Sequence, residues 1–214
     1  MRVRTGRATA LGAAMVAALA LSSVHAAGAH TAGTYFKRKW VRDKRVEYSF
    51  TTSVSSQAWR DRTVNGAGVW NALSQPMTFA QNGAVGDFDP YVCPSTYQYN
   101  GIHARAIDGS GGTLAQTMSC TYSGTGEMYS FELVYDTRES WYAGTGTPAS
   151  TQPDLYSIAV HELGHAAGFT GHFSGTDICG NNSLQETMCA THYRGTTRQR
   201  SLGTHDTHTF TAAY

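Results

Sequence analysis

The chain has 214 residues, enough for one domain with a substantial core, and 41% of them are apolar, as in ordinary globular proteins. Its formal net charge is +1 and becomes −2 once residues 1–26 are set aside, because Arg2, Arg4 and Arg7 leave with no acid. That balance gives no global reason to expect nucleic acid or a membrane surface as a partner.

Residues 1–26 combine a basic start, an apolar run from Ala10 to Val24 and small residues around Val24-His25-Ala26. This is the order of a secretory signal peptide cleaved near Ala26. The run is shorter than the roughly 20 residues a membrane-spanning helix needs. The mature protein is therefore expected to be secreted and extracellular, with no membrane contact after cleavage. Residues 27–45 form a basic N-terminal arm, KRKWVRDKR at its end, which reads as a solvated arm or an edge strand. Alternation in VEYSF (46–50) predicts a first strand with Val46, Tyr48 and Phe50 on one face. A helix is expected over 55–73, with Trp59, Ala67, Trp70 and Leu73 on its apolar stripe, although Gly66 and Gly68 weaken it. MTFAQ (77–81), GIHARAI (101–107), GTLAQTM (112–118) and SFELVYD (130–136) read as further strands, with a glycine- and tyrosine-rich loop over 82–101. PDLYSIAVHELGHAAG (153–168) is the strongest helix, with Pro153 in its first turn, Asp154 at the positive end and Gly168 as its stop. A last short helix is expected from about Thr204 to Tyr214. Four cysteines in an exported chain imply disulfides. Of the three connectivities, sequence neighbours are the economical choice: Cys93–Cys120 and Cys179–Cys189.

HELGHAAGFTGH (161–172) places three of nine histidines in twelve positions. His161 and His165 are four residues apart, so on a helix they share one face about 6 Å apart along the axis. That spacing lets two imidazoles converge on one zinc. His172 on a continued helix would lie roughly 10.5 Å beyond His165, too far for a shared metal. The chain must therefore leave the helix and double back, using Gly168, with Gly171 as further freedom. Three histidines leave one tetrahedral position open, which marks a catalytic rather than a structural zinc. Glu162 then suits a general base that takes a proton from water and delivers it to a leaving amine. Given this composition, the five fixed positions arise by chance with a probability on the order of a few in 100,000.

On these residues the chain resembles the metzincin clan of zinc endopeptidases, in its matrixin-like branch. SLQETMCATHYRG (183–195) is similar to the methionine turn beneath the metal, with Met188 as the methionine. GTLAQT (112–117) resembles the upper edge strand that aligns substrates, through Gly112, Thr113, Leu114 and Ala115. LVYDTRESWY (133–142) and LGTHDTHTFTAAY (202–214) resemble later elements of the same fold. The resemblance implies an α+β zincin fold over residues 46–214: a twisted mixed β-sheet, an active-site helix, and a small C-terminal subdomain ending in a helix. It also implies one catalytic Zn2+ and protein or peptide substrates; from the charge balance no nucleic-acid partner is expected, and a monomer is expected.

Two departures from the family pattern stand out. A tyrosine is expected four residues after the turn methionine, in the wall of the specificity pocket, but Tyr193 comes five after Met188, so the wall falls to Tyr193 or to His192. The structural zinc and calcium loops are not recognisable, which leaves Ca2+ open but unsupported. His103, Asp87, Asp89 and Asp108 are loose candidates for such sites but read better as surface polar residues, and His205 and His208 read as solvent-facing. Two other readings share the motif: a secreted zinc hydrolase acting on a non-peptide or cell-wall amide, and a non-catalytic zinc-binding module. The second has no need of Glu162.

Overall fold

A computed structural model describes residues 38–40, 45–94, 99–174, 178–179 and 186–214. The expected signal peptide and most of the basic arm lie outside them. Five strands form one sheet: β1 (Arg45–Phe50), β2 (Thr78–Gln81), β3 (Gly101–Arg105), β4 (Ala115–Thr121) and β5 (Met128–Asp136). Their order is β2-β1-β3-β5-β4, with every neighbour parallel except the antiparallel β4–β5 pair at the edge. Helices α1 (Gln57–Asn71), α2 (Leu155–Ala167) and α3 (Thr204–Ala213) complete the architecture, with a short 3-10 turn at Arg198–Arg200. Among the described residues no helix is long and apolar enough to cross a membrane. The α+β expectation holds.

Val46, Tyr48 and Phe50 are all buried, as their alternation predicts, and join Ile102, Phe131, Leu133 and Tyr135 in the core. Helices α1 and α2 contribute to the same core through Ala67, Trp70, Ile158, Ala159 and Leu163. Gly66, an expected weakness of α1, has a use there. A Cβ at this position would lie only 3.1 Å from Ala159, so the absent side chain lets the two helices meet closely. Trp70 then donates its indole N–H to the Val160 carbonyl at 2.8 Å and packs its ring on Phe169 and Phe210. One side chain thus ties α1, the end of α2 and α3 together.

The basic arm is not wholly solvated. Trp40 is 2% exposed and donates its indole N–H to the Ala166 carbonyl at 2.8 Å. The Tyr214 hydroxyl donates to the Ala167 carbonyl at 2.7 Å and accepts from the Trp40 backbone N–H. The Gly164 and His165 carbonyls accept from Gly168 and Phe169 backbone groups. All four carbonyls that α2 leaves without an internal partner are therefore satisfied. Both ends of the described chain converge on this helix terminus.

Strand β4 begins three residues later than its sequence suggests. The Asp108 carboxylate accepts from the Thr113 N–H at 3.0 Å, and Glu139 accepts from the Gly111 N–H at 2.6 Å. These bonds hold residues 108–113 in a turn, so ladder pairing starts only at Ala115, opposite Tyr135. Of the four expected edge-strand residues, only Ala115 lies in the strand; Gly112, Thr113 and Leu114 lead into it.

His103 is a second departure. It is fully buried on the sheet face opposite the helices, with Glu132 Oε2 3.0 Å from Nε2 and Asp87 Oδ1 3.3 Å from Nδ1. The Phe88 ring meets it edge-on at 4.8 Å, and Arg105 donates to Asp87 at 2.8 Å. Asp87, Asp89 and Asp108 are exposed, as expected. The histidine is covered because the loop after β2 folds across the sheet, tied down by Cys93–Cys120.

The two disulfides pair as sequence neighbours, Cys93–Cys120 and Cys179–Cys189. They span 27 and 10 residues, so loop-closure entropy assigns them about 3.6 and about 2.7 kcal/mol. Removing Cys93–Cys120 by paired alanine substitutions is expected to lower the unfolding free energy more than removing Cys179–Cys189. Guanidinium unfolding of the two double variants measures this, and the reverse ranking would contradict loop entropy as the governing effect.

Candidate metal centre

Helix α2 begins with Asp154, whose carboxylate accepts from the Ser157 N–H at 3.0 Å, and ends at Gly168. Gly168 has φ 125°, a left-handed conformation that side-chain-bearing residues rarely adopt. Here the chain turns back, as the histidine spacing requires. Gly171 stays outside that φ range and adds no second reversal. The turn returns His172 to His161 and His165: the three Nε2 atoms are 3.1–3.2 Å apart.

The other ring nitrogens fix this orientation. His161 donates from Nδ1 to the Thr187 carbonyl at 2.6 Å, and His165 donates from Nδ1 to the Phe169 carbonyl at 2.8 Å. Each Nε2 of this pair is then a lone-pair donor, and two such atoms cannot hydrogen-bond to one another. Burial, then the neighbouring His165, pushes His161 well down from the usual histidine range and pushes His172 down as well. Both stay neutral near pH 7, the form that ligates metals. Tetrahedral zinc with Zn–N near 2.0–2.1 Å would set nitrogens about 3.3–3.4 Å apart, close to what the trio shows. The donor set fits zinc. Among the described residues this is the only group of three histidine, cysteine or carboxylate side chains with its ligand atoms so gathered.

Support rises from below. Met188 is fully buried under α2, where Gly164 leaves room for its sulfur and for the Trp70 ring. The Asp206 carboxylate accepts from the Thr187 and Met188 backbone N–H groups at 2.6 and 3.1 Å, and from Gly203 at 2.9 Å. A continuous chain of contacts therefore runs from α3 through Thr187 to the His161 ring. Next to it, Glu186 accepts from the Asp206 N–H and from His205 Nδ1. His205 is thus engaged and partly buried rather than solvent-facing; His208 is exposed.

Glu162 lies beside His161, with its carboxylate Oε2 accepting from the Thr117 hydroxyl at 2.7 Å. Burial pushes its carboxyl up, while His165 and the Thr117 hydrogen bond pull the other way. Cavities of about 550 and 440 Å³ open on either side of the histidine trio, both bordered by Ala115, Glu162 and His172. The first includes Thr117, Tyr91 and Thr170. The second is bounded by Gly112, Thr113 and Leu114 on one side and by Cys189, His192 and Arg194 on the other. His192 is held by Gln199 at 2.6 Å, whereas Tyr193 is 43% exposed and does not line the cavity. Thr117, Arg194 and Asp206 escaped the sequence reading. All three lie inside stretches already singled out, Thr117 in GTLAQT, Arg194 in SLQETMCATHYRG and Asp206 in LGTHDTHTFTAAY, but their partners are long-range.

Substituting Gly164 by alanine would drive its methyl into the Met188 sulfur and to 2.9 Å from the Trp70 ring. Overpacking of this kind costs about 1–3 kcal/mol, so a clear drop in melting temperature is expected. A melting temperature equal to wild type would contradict this packing.

Burial, with the Glu186 carboxylate next to it, pushes Asp206 up to about 8. An unfolded aspartate titrates near 3.9, so this group's stability contribution is complete below about pH 4 and is lost as pH rises toward 8. Asp206→Asn should therefore flatten the decline in melting temperature between pH 5 and 8.5, while lowering it outright at pH 5. Parallel curves for the two proteins would contradict the assignment.

A matrixin family model matches residues 39–210, most of the chain and every strand and helix described above except the last three residues of α3. Comparison with curated proteins gives no match. With its sheet, its active-site helix and its histidine trio in place, the chain belongs to the matrixin family of zinc-dependent metalloendopeptidases.

Proposed function

We propose that this chain is a secreted endopeptidase in which His161, His165 and His172 hold a single zinc ion and Glu162 is the general base. The observation that carries the reading is the meeting of three Nε2 atoms within 3.2 Å, beside a buried carboxylate and an open sheet edge. A bound zinc ion supplies Lewis acidity, lowering the pKa of water and drawing charge from a carbonyl oxygen. The chain's own residues do the rest. Glu162 takes a proton from the attacking water and delivers it to the leaving amide nitrogen. Among the described residues β4 is an edge strand, and an extended peptide lying across the cleft would pair along it. Met188 gives the histidines an apolar floor without touching the metal. His192 forms part of the wall of the second cavity.

Peptide or protein substrates follow from the family. Export is supported by the N-terminal signal pattern and by two disulfides, which persist in oxidising surroundings. The intact Glu162 favours an active enzyme over a zinc-binding module.

Two measurements test the assignment. Glu162→Ala is expected to keep one zinc per chain and lose peptide cleavage by two or more orders of magnitude. Near-normal cleavage by this variant would sink the general-base role. Chelation should abolish digestion of an unbiased peptide library and zinc should restore it. Failure of the zinc-loaded protein to cut any library peptide would favour the non-peptide amide reading.

A further inference from the structure

Thr117 stands apart from the residues that this reading already uses. It lies in the middle of β4, paired across the ladder with Leu133, so its side chain points to the helix side of the sheet. Its Oγ1 is 2.7 Å from Glu162 Oε2 and 3.1 Å from the Glu162 backbone carbonyl. The hydroxyl therefore meets Glu162 of α2 through both its main chain and its carboxylate. No hydrogen bond from the described residues engages Oε1. A β-branched side chain on a strand has few χ1 choices, so the hydroxyl is held in place by the same ladder that sets the edge for substrate.

We propose that Thr117 is a positioning residue for the general base: it holds Glu162 Oε2 and leaves Oε1 as the oxygen that carries the proton. Oε1 takes one proton from water as the water oxygen bonds to the carbonyl carbon. It gives that proton to the amide nitrogen as the C–N bond breaks, and the second water proton stays with the carboxyl product. Without the hydroxyl the carboxylate can rotate, and the fraction of time in which an oxygen faces the water falls. Because β4 is also the substrate edge, one strand then aligns the peptide and the base together. The inference rests on Glu162 being the base.

The test compares zinc-loaded wild type with Thr117→Val, Thr117→Ala, Thr117→Ser and Glu162→Ala, measuring kcat, KM, zinc content and melting temperature. Valine keeps the shape and removes the hydroxyl; alanine serves if valine folds poorly. Loss of a hydrogen bond to a charged group predicts a fall in kcat of about 10- to 100-fold, with KM, zinc content and melting temperature near wild type. Serine should recover most of the lost kcat. A kcat within twofold of wild type in the valine and alanine variants, with Glu162→Ala inactive, overturns the positioning role and leaves the general base standing. Parallel losses of kcat, zinc and melting temperature that serine does not rescue also overturn it. An active Glu162→Ala removes the premise itself.

Discussion

The centre depends on one backbone reversal. Helix α2 can bring two imidazoles to a common point, but its rise carries any later residue away along the axis. The left-handed Gly168 breaks that progression and returns His172 to the pair. Such a break would leave four helix carbonyls exposed or unpaired in the core. They are instead met by two backbone N–H groups, the Trp40 indole and the Tyr214 hydroxyl. The turn that gathers the three histidines is thus held by residues from both ends of the described chain.

Orientation of the rings is a second, separate problem. An imidazole has two nitrogens, and a ligand is useful only when the correct one faces the metal. His161 is set by the Thr187 carbonyl, and Thr187 is set by the Asp206 carboxylate. A buried carboxylate at the start of α3 therefore acts at the centre through two hydrogen bonds and a backbone segment. Its proximity to Glu186 makes this arrangement electrostatically costly as a charged pair, and the backbone N–H groups around both carboxylates offset that cost.

The two sheet faces divide the remaining work. One buries aromatic and aliphatic side chains under α1 and α2 and fixes the height of the helix over β4. The other buries His103 and Glu132, with the exposed Asp87 at the rim, beneath a loop stapled by Cys93–Cys120. Each nitrogen of the buried His103 ring faces one carboxylate oxygen, Glu132 Oε2 at Nε2 and Asp87 Oδ1 at Nδ1. The cover also keeps the outer face of β3 and β5 from solvent.

Much of the centre was legible without coordinates, because its chemistry is local. The spacing of His161, His165, Gly168 and His172 states a helix, a break and a return, and helical geometry converts that directly into a ligand set. Strand β1 was readable from its alternation, and α3 lies where a last short helix was expected. What remained hidden was non-local. Trp40 looked like part of a solvated basic arm, because nothing near it in sequence indicates that the Ala166 carbonyl needs a donor. His103 looked like a surface histidine, because the loop that covers it is folded by a disulfide partner 27 residues from Cys93. The start of β4 was misjudged because Asp108 and Glu139 hold the preceding turn through backbone groups. The choice between His192 and Tyr193, and the engagement of Thr117 with Glu162, required two segments to be placed side by side. The sequence alone determined which side chains are candidates to bind and react; the tertiary structure decided which groups hold them still, because those contacts join residues tens of positions apart.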